Sequence, residues 1–162
     1  MTDVDRRSSA GTVEDRLAIG ELEAAYCRRF DERDGEAWSL LFTEEGRYRS
    51  RGMERDTTGR RGVYAEGRAA LAAFCNDAPF TGIHLLHLPQ VDLRVDVAIG
   101  RVHFEHVGDF EGQEGLSRSV GYYDVRYERV EGQWLFADKV TTVFSMDGTV
   151  IDGYPGSAFD DG

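Results

Sequence analysis

The sequence has few cysteines, few prolines and no long hydrophobic run. Its two cysteines, Cys27 and Cys75, lie far apart and form no CxxC motif, which is typical of a reduced cytoplasmic protein. No apolar stretch approaches the roughly 18–20 residues of a membrane span, and the first residues contain no apolar signal-peptide segment. We therefore expect a cytoplasmic protein that makes no membrane contact and binds no metal through thiolates.

Basic residues are also in the minority. Lysine and arginine total 19 against 30 aspartates and glutamates, a formal net charge of −11. This charge repels phosphate backbones, so no nucleic-acid partner is expected. The 162 residues, of which 41% are hydrophobic, suffice for one folded core. We predict a single domain over residues 12–150, with polar tails at 1–11 and 151–162.

The hydrophobic pattern divides this domain into helices followed by strands. Thr12 and Asp15 have the spacing of a capping box, and apolar residues then recur at three- and four-residue steps. Shorter helices are predicted after Asp34 and over residues 68–76, the first of them carrying Trp38, Leu41 and Phe42. From about residue 91 apolar and polar residues alternate, as in strands joined by short turns. This order predicts an α+β fold with a mainly antiparallel sheet packed on helices. The apolar stripe of the first helix comprises Val13, Leu17, Leu22, Ala25, Tyr26 and Phe30.

An arginine-rich segment lies between the second and third predicted helices. Residues 49–63 are polar, and we expect a mobile β-hairpin or lid there. Its positive charge is typical of a solvated hairpin, or of a lid that attracts an anionic substrate. The arginines at positions 47, 49, 51, 55, 60 and 61 form this cluster.

Four short motifs occur in a characteristic order. The pattern E-L-x-x-x-Y-x-x-x-F-D-x-x-D begins at Glu21, and W-x-x-L-F-T begins at Trp38. I-H-L-L begins at Ile83, and G-Y-Y-D begins at Gly121. Together they resemble the SnoaL-like domains of the nuclear transport factor 2-like superfamily, over about residues 12–145. The resemblance implies a cone in which a strongly bent sheet wraps around N-terminal helices and encloses an apolar pocket. It also implies a homo-oligomer, either a dimer or a trimer.

The resemblance points to one pair of residues. Scytalone dehydratases and hexachlorocyclohexane dehydrochlorinases pair an aspartate at the end of the first helix with a histidine on the central strand, and Asp31 and His84 occupy those positions. Histidine exchanges protons near neutrality, and a carboxylate fixes its tautomer. We hypothesise a cofactor-independent lyase, a dehydratase or related elimination enzyme, acting on a small hydrophobic or aromatic molecule. His84 is the general base, oriented by Asp31, and activity falls as His84 becomes protonated.

Four more residues are candidates for substrate binding. Tyr26, Tyr48 and Tyr123 can donate hydrogen bonds to a developing oxyanion or leaving group, although Tyr26 and Tyr123 fit the core equally well. His106 shares a strand face with Val102 and Phe104, the side that lines the pocket in the resembling folds. It is a candidate binding residue or second acid.

The same residues are also compatible with other functions. A polyketide or terpenoid cyclase or isomerase would use the same dyad, although the aspartate of ketosteroid isomerase falls near Ser50, which cannot act as that base. Asp31 could instead cap the helix or pair with Arg28 or Arg33. A non-catalytic ligand-binding or assembly domain would hold Asp31 and His84 apart or in a filled core.

Two histidine pairs have a spacing that resembles metal ligands. His84 and His87 are three residues apart, as are His103 and His106. On a strand, residues three apart point to opposite faces. We therefore predict no metal site.

Overall fold

The computed structural model describes residues 11–51 and 64–151. The predicted tails, except residues 11 and 151, and residues 52–63 of the arginine-rich segment lie outside this description. The described helices are α1 (Val13–Asp31), α2 (Gly35–Ser39) and α3 (Arg68–Asp77). None of them has the length and apolarity to span a membrane. The described strands are β1 (Phe42–Arg51), β2 (Tyr64–Glu66), β3 (Phe80–Leu86), β4 (Gln90–Leu93), β5 (Val97–Phe110), β6 (Leu116–Val130), β7 (Gln133–Met146) and β8 (Thr149–Val150).

The strands form one curled sheet in the order β2-β1-β7-β6-β5-β3, with β4 paired to β5 and β8 to β7. Every pair is antiparallel except β1 with β7. The β6–β7 register shifts at Val120/Gly121 and again at Arg126/Tyr127, and such irregularities bend a strand and increase its twist. The predicted α+β fold with a mainly antiparallel sheet is confirmed.

Helix α1 begins with the predicted capping box. The Asp15 backbone N–H donates to Thr12 Oγ1, and the Thr12 backbone N–H donates to Asp15 Oδ2, both at 3.1 Å. The predicted apolar stripe is wrong in its first turns, where Val13 is 78% exposed and Leu17 is 62% exposed. The start of the helix is attached to the sheet by Asp15, which accepts a hydrogen bond from Trp134 Nε1 at 3.0 Å. The buried face begins only at Ile19.

Helix α2 is shorter than its apolar pattern indicates. Asp34 caps it by accepting from the Ala37 backbone N–H at 3.1 Å, and the helix ends at Ser39. The expectation that it continues through Phe42 is wrong, because Phe42 begins β1 and pairs with Phe136 of β7. The predicted core role of Phe42 is nevertheless confirmed, since its side chain is fully buried.

Aromatic rings fill the space between the helices and the concave side of the sheet. Trp38 packs against Phe42 with ring centroids 4.8 Å apart, and Phe42 packs against Phe136 at 5.1 Å. Burial of each such side chain contributes about 1.5–3 kcal/mol. This core fixes α1 against the sheet and thereby determines where the last turn of α1 meets β3.

Candidate active site

A groove of about 680 Å³ lies between α1 and the end of β3. One wall is a single face of α1 that runs from Leu17 to Asp31, and the other comprises His84 and residues 86–89. Its rim is apolar and open, since Leu17 is 62% exposed and Leu88 is 91% exposed. The groove can therefore admit a small hydrophobic molecule from solvent and bring it to Asp31 and His84.

Asp31 and His84 are in direct contact. Asp31 is the last residue of α1, and His84 lies in the middle of β3. His84 Nδ1 is 2.6 Å from Asp31 Oδ1, and the His84 backbone N–H donates to Asp31 Oδ2 at 3.0 Å. One carboxylate thus holds both the ring and the backbone of the histidine. With Asp31 ionised, Nδ1 carries the proton and Nε2 presents its lone pair.

The dyad lies at the boundary between the groove and the core. The side chains of His84 and Asp31 are 8% and 19% exposed. The ring of Phe30 packs edge-on against His84, with the centroids 5.7 Å apart. Low polarity strengthens a hydrogen bond between the two groups, so the surroundings favour a fixed ring orientation.

Arg33 ties the end of α1 to its neighbours. Its Nη1 donates to the carbonyl of Cys75 at 2.9 Å and its Nη2 donates to the carbonyl of Phe80, where α3 ends and β3 begins. Its φ of 59° lies in the left-handed region, which is uncommon for a residue other than glycine. The expected alternative of an Arg28 or Arg33 ion pair with Asp31 is not found among the described residues. Arg33 instead positions the helix end that carries Asp31.

His106 lies directly opposite His84 in the β3–β5 ladder, with the ring centroids 4.6 Å apart. Its ring occupies space that Gly82 and Gly108 leave open, since a Cβ on either would lie within 2.6 Å of the imidazole. Burial, together with the nearby His84, lowers the pKa of His106 to about 4, against an opposing effect of Asp31. Its buried Nε2 has no hydrogen-bond partner in the described part of the chain. A neutral imidazole therefore lies beside the dyad, and its Nε2 makes no hydrogen bond within the described part of the chain.

The three predicted binding tyrosines lie in the packed core. Tyr26, Tyr48 and Tyr123 are at most 8% exposed, and none belongs to the described lining of the groove. Tyr48 accepts a hydrogen bond from Thr141 Oγ1 at 2.8 Å. Burial raises the pKa of all three hydroxyls, so each stays protonated as a donor. Their contact with a substrate stays a prediction.

The sequence patterns did not identify a buried charged network that lies near the groove. Lys139 Nζ lies 2.5 Å from Glu23 Oε2, and the Tyr127 hydroxyl donates to Glu23 Oε1 at 2.7 Å. Burial lowers the pKa of Lys139, against the opposing effect of Glu23. Glu23 also lines the groove. Its spacing of four and eight residues from Cys27 and Asp31 indicates a shared helix face, a signal that could have identified it.

His103 and His106 lie on opposite faces as predicted, but the same prediction is wrong for His84 and His87, which line one groove because β3 ends at Leu86. His103 is exposed, whereas His106 on the same strand is buried. His87 follows β3 and lines the groove. Among the described residues, no group of three or more histidines, cysteines, aspartates or glutamates is arranged to hold a metal ion.

The motifs on α1, β3 and β6 fall within the match to one family. A sequence profile of the SnoaL-like domain matches residues 11–140. The chain belongs to the SnoaL-like domain family. The match includes Asp31, His84 and the walls of the groove. None of the curated proteins compared with the chain matches it.

Solved structures agree with the family assignment on the fold. A nuclear transport factor 2-like protein with a cystatin-like fold from Novosphingobium aromaticivorans is 28% identical, with a TM-score of 0.64 and 85% of each chain covered. A hexachlorocyclohexane dehydrochlorinase is 16% identical, with a TM-score of 0.72 over 91% of this chain and 96% of its own. A scytalone dehydratase candidate from N. aromaticivorans is 17% identical, with a TM-score of 0.70 over 93% and 96%. At 16–17% identity, the last two similarities show the fold alone.

Proposed function

We propose that this SnoaL-like domain is a cofactor-independent lyase that eliminates water or a related leaving group from a small hydrophobic or aromatic molecule. The observation that supports this best is the Asp31–His84 contact of 2.6 Å at the wall of an open groove. This separation is within the range of a productive base–orienter hydrogen bond, about 2.6–3.2 Å. Two solved structures of the same fold carry names of elimination enzymes, a scytalone dehydratase candidate and a hexachlorocyclohexane dehydrochlorinase.

The proton moves between the substrate and His84. Nε2 takes a proton from a substrate carbon, and the electrons of the broken C–H bond form the new double bond. The carboxylate of Asp31 stabilises the imidazolium that results. As the double bond forms, the C–O bond breaks and leaves its electron pair on oxygen, and the imidazolium returns the proton to that oxygen, which departs as water. The atoms and charges balance within the substrate and the dyad, so the step requires no cofactor.

Neighbouring groups assist the leaving group in this proposal. His106 Nε2 is buried without a partner among the described residues, and a neutral imidazole can donate or accept one hydrogen bond there. Tyr26, Tyr48 and Tyr123 are proposed as donors to a substrate oxygen that reaches past the dyad. These roles require the substrate to enter more deeply than the groove wall at His84.

The same dyad would serve a cyclase or isomerase, and the mass of the product separates these reactions. Purified protein is incubated with hydroxylated and halogenated cyclic compounds, and the products are analysed by mass spectrometry. The lyase proposal expects loss of water or hydrogen halide. A product of unchanged mass would favour the cyclase or isomerase, and no turnover that depends on His84 would favour a non-catalytic domain. That last alternative expects the two side chains apart or in a filled core, whereas they touch at the groove.

We further propose that the domain spans residues 12–150, with polar tails on either side, and that it acts in the cytoplasm. We also propose that it assembles as a homo-oligomer, a dimer or a trimer. Sedimentation velocity should give a mass of two or three times 18.2 kDa, and a monomer at all concentrations would contradict this.

A further inference from the structure

Arg28 lies one helical turn before Asp31 and lines the same groove. Its side chain is exposed, and in the described part of the chain it has no hydrogen-bond or ion-pair partner. Most other described arginines contact a carboxylate or a backbone carbonyl, as Arg29 does at the carbonyl of Ala37. In a protein with a net charge of −11, an unpartnered cation at the wall of the groove is available for an anion.

His87 faces the groove from the opposite wall. It lies three residues after His84, and its backbone N–H donates to the carbonyl of His103 at 3.0 Å. This bond continues the β3–β5 pairing and fixes His87 relative to the dyad. Its exposed imidazole has an N–H donor in either protonation state. The dyad therefore has one donor group beside it on each wall.

We propose that Arg28 and His87 form an anion-binding subsite that accepts a carboxylate of the substrate. This inference rests on the proposed function, because it specifies the class of molecule that the Asp31–His84 site receives. The guanidinium presents two parallel donors that match a carboxylate. Three residues of helix separate Arg28 from Asp31 by about 4.5 Å along the axis, so the acid group lies close to the reacting carbon. Negative charge that develops on the substrate during proton loss is stabilised by the same cation.

The charges along the groove give the acid group one orientation. Glu21 lines the groove two turns before Arg28, about 10 Å away along the helix axis. It disfavours an anion at that end, and Asp31 repels one placed directly on the dyad. The groove-lining carboxylate of Glu23 is paired with Lys139. The carboxylate is accordingly held between Arg28 and His87, with the hydrophobic part of the molecule against Ala24 and Leu88.

A pair of probes of equal shape tests this subsite without turnover. Binding of biphenyl-4-carboxylate and of biphenyl-4-carboxamide is measured by titration calorimetry. The wild type should bind the carboxylate about tenfold more tightly than the amide, and Arg28→Gln should remove that preference while amide affinity changes less than about twofold. Arg28→Lys should retain part of the preference, and His87→Gln should lose about threefold for the carboxylate. Arg68→Gln removes an exposed arginine at the start of α3, away from the groove, and should change neither affinity.

Several results would overturn the subsite. Arg28→Gln could weaken the binding of both probes equally, or it could keep the preference for the carboxylate. Arg68→Gln could weaken carboxylate binding as much as Arg28→Gln does. The wild type could also bind neither probe. Failure of the lyase proposal is distinguishable, because the subsite is tested by binding and the lyase by product formation; His84→Gln should keep the carboxylate preference and lose elimination. If the carboxylate binds selectively but no elimination is detected, the subsite is supported and the lyase proposal fails.

Discussion

The carboxylate of Asp31 makes hydrogen bonds with two atoms of His84, its Nδ1 and its backbone N–H. This double contact leaves Nε2 as the ring nitrogen that can accept a proton. A bond to the ring alone would allow the imidazole to rotate, whereas the additional bond from the His84 backbone N–H fixes the carboxylate relative to the strand. The resemblance to SnoaL-like domains predicted the pair, because it assigns Asp31 to the end of the first helix and His84 to the central strand. The role of Arg33 in holding the end of α1 could not be predicted. A left-handed backbone conformation and two contacts with carbonyl groups produce no periodic pattern in the sequence.

His106 should make the stability of the protein depend on pH. Its pKa is lowered from 6.5 to about 4 in the folded state, so between these values the unfolded chain binds a proton that the native chain does not. Stability therefore falls as the pH drops from 6.5 towards 4, by roughly 3 kcal/mol from this group. Urea unfolding at several pH values should show a shallower decline in His106→Phe than in the wild type.

His103 provides the control for that experiment. It lies on the same strand as His106 but is exposed. The substitution His103→Gln should leave the wild-type pH dependence in place. If His106→Phe and the wild type lose stability in parallel over this range, the buried neutral imidazole is not the cause.

At the scale of elements, the groove exists because α1 packs on the sheet through one face and leaves a neighbouring face open to β3. The alternation of the strands and the capping box of α1 were predictable from local patterns. The exposure of Val13 and Leu17 was not, because periodicity identifies an apolar face without saying what covers it. The end of α2 at Ser39 likewise depends on the pairing of Phe42 with Phe136, a partner far away in the sequence.

The pair of Glu23 and Lys139 joins α1 to β7 inside the core. Lys139→Met would leave the buried Glu23 carboxylate without its cation, which should lower the free energy of unfolding by roughly 3–5 kcal/mol. The double variant Glu23→Gln/Lys139→Met removes both charges at similar volume, and we expect it to lie within about 2 kcal/mol of the wild type. Chemical denaturation of the three proteins checks this. Equal destabilisation by Lys139→Met and by the double variant would contradict a penalty from the unpaired Glu23 carboxylate.

At the scale of the whole molecule, the order of helices and strands together with the four motifs was enough to predict the architecture. The profile match over residues 11–140 and the curled sheet confirm it. The interior was less predictable, because three tyrosines that fit either a pocket or a core are packed in the core. Local sequence patterns do not report which side of a helix remains open, and that determines where a ligand can enter.

The proposed elimination depends on His84 as the base and on Asp31 as its orienting partner. The most direct test is kcat/KM on the best substrate from the mass-spectrometric screen, measured for the wild type, His84→Ala and Asp31→Asn. We expect His84→Ala to lose about 10²–10⁴-fold, Asp31→Asn to lose less, and both to remain folded by circular dichroism. A loss of less than about tenfold in folded His84→Ala would contradict the account.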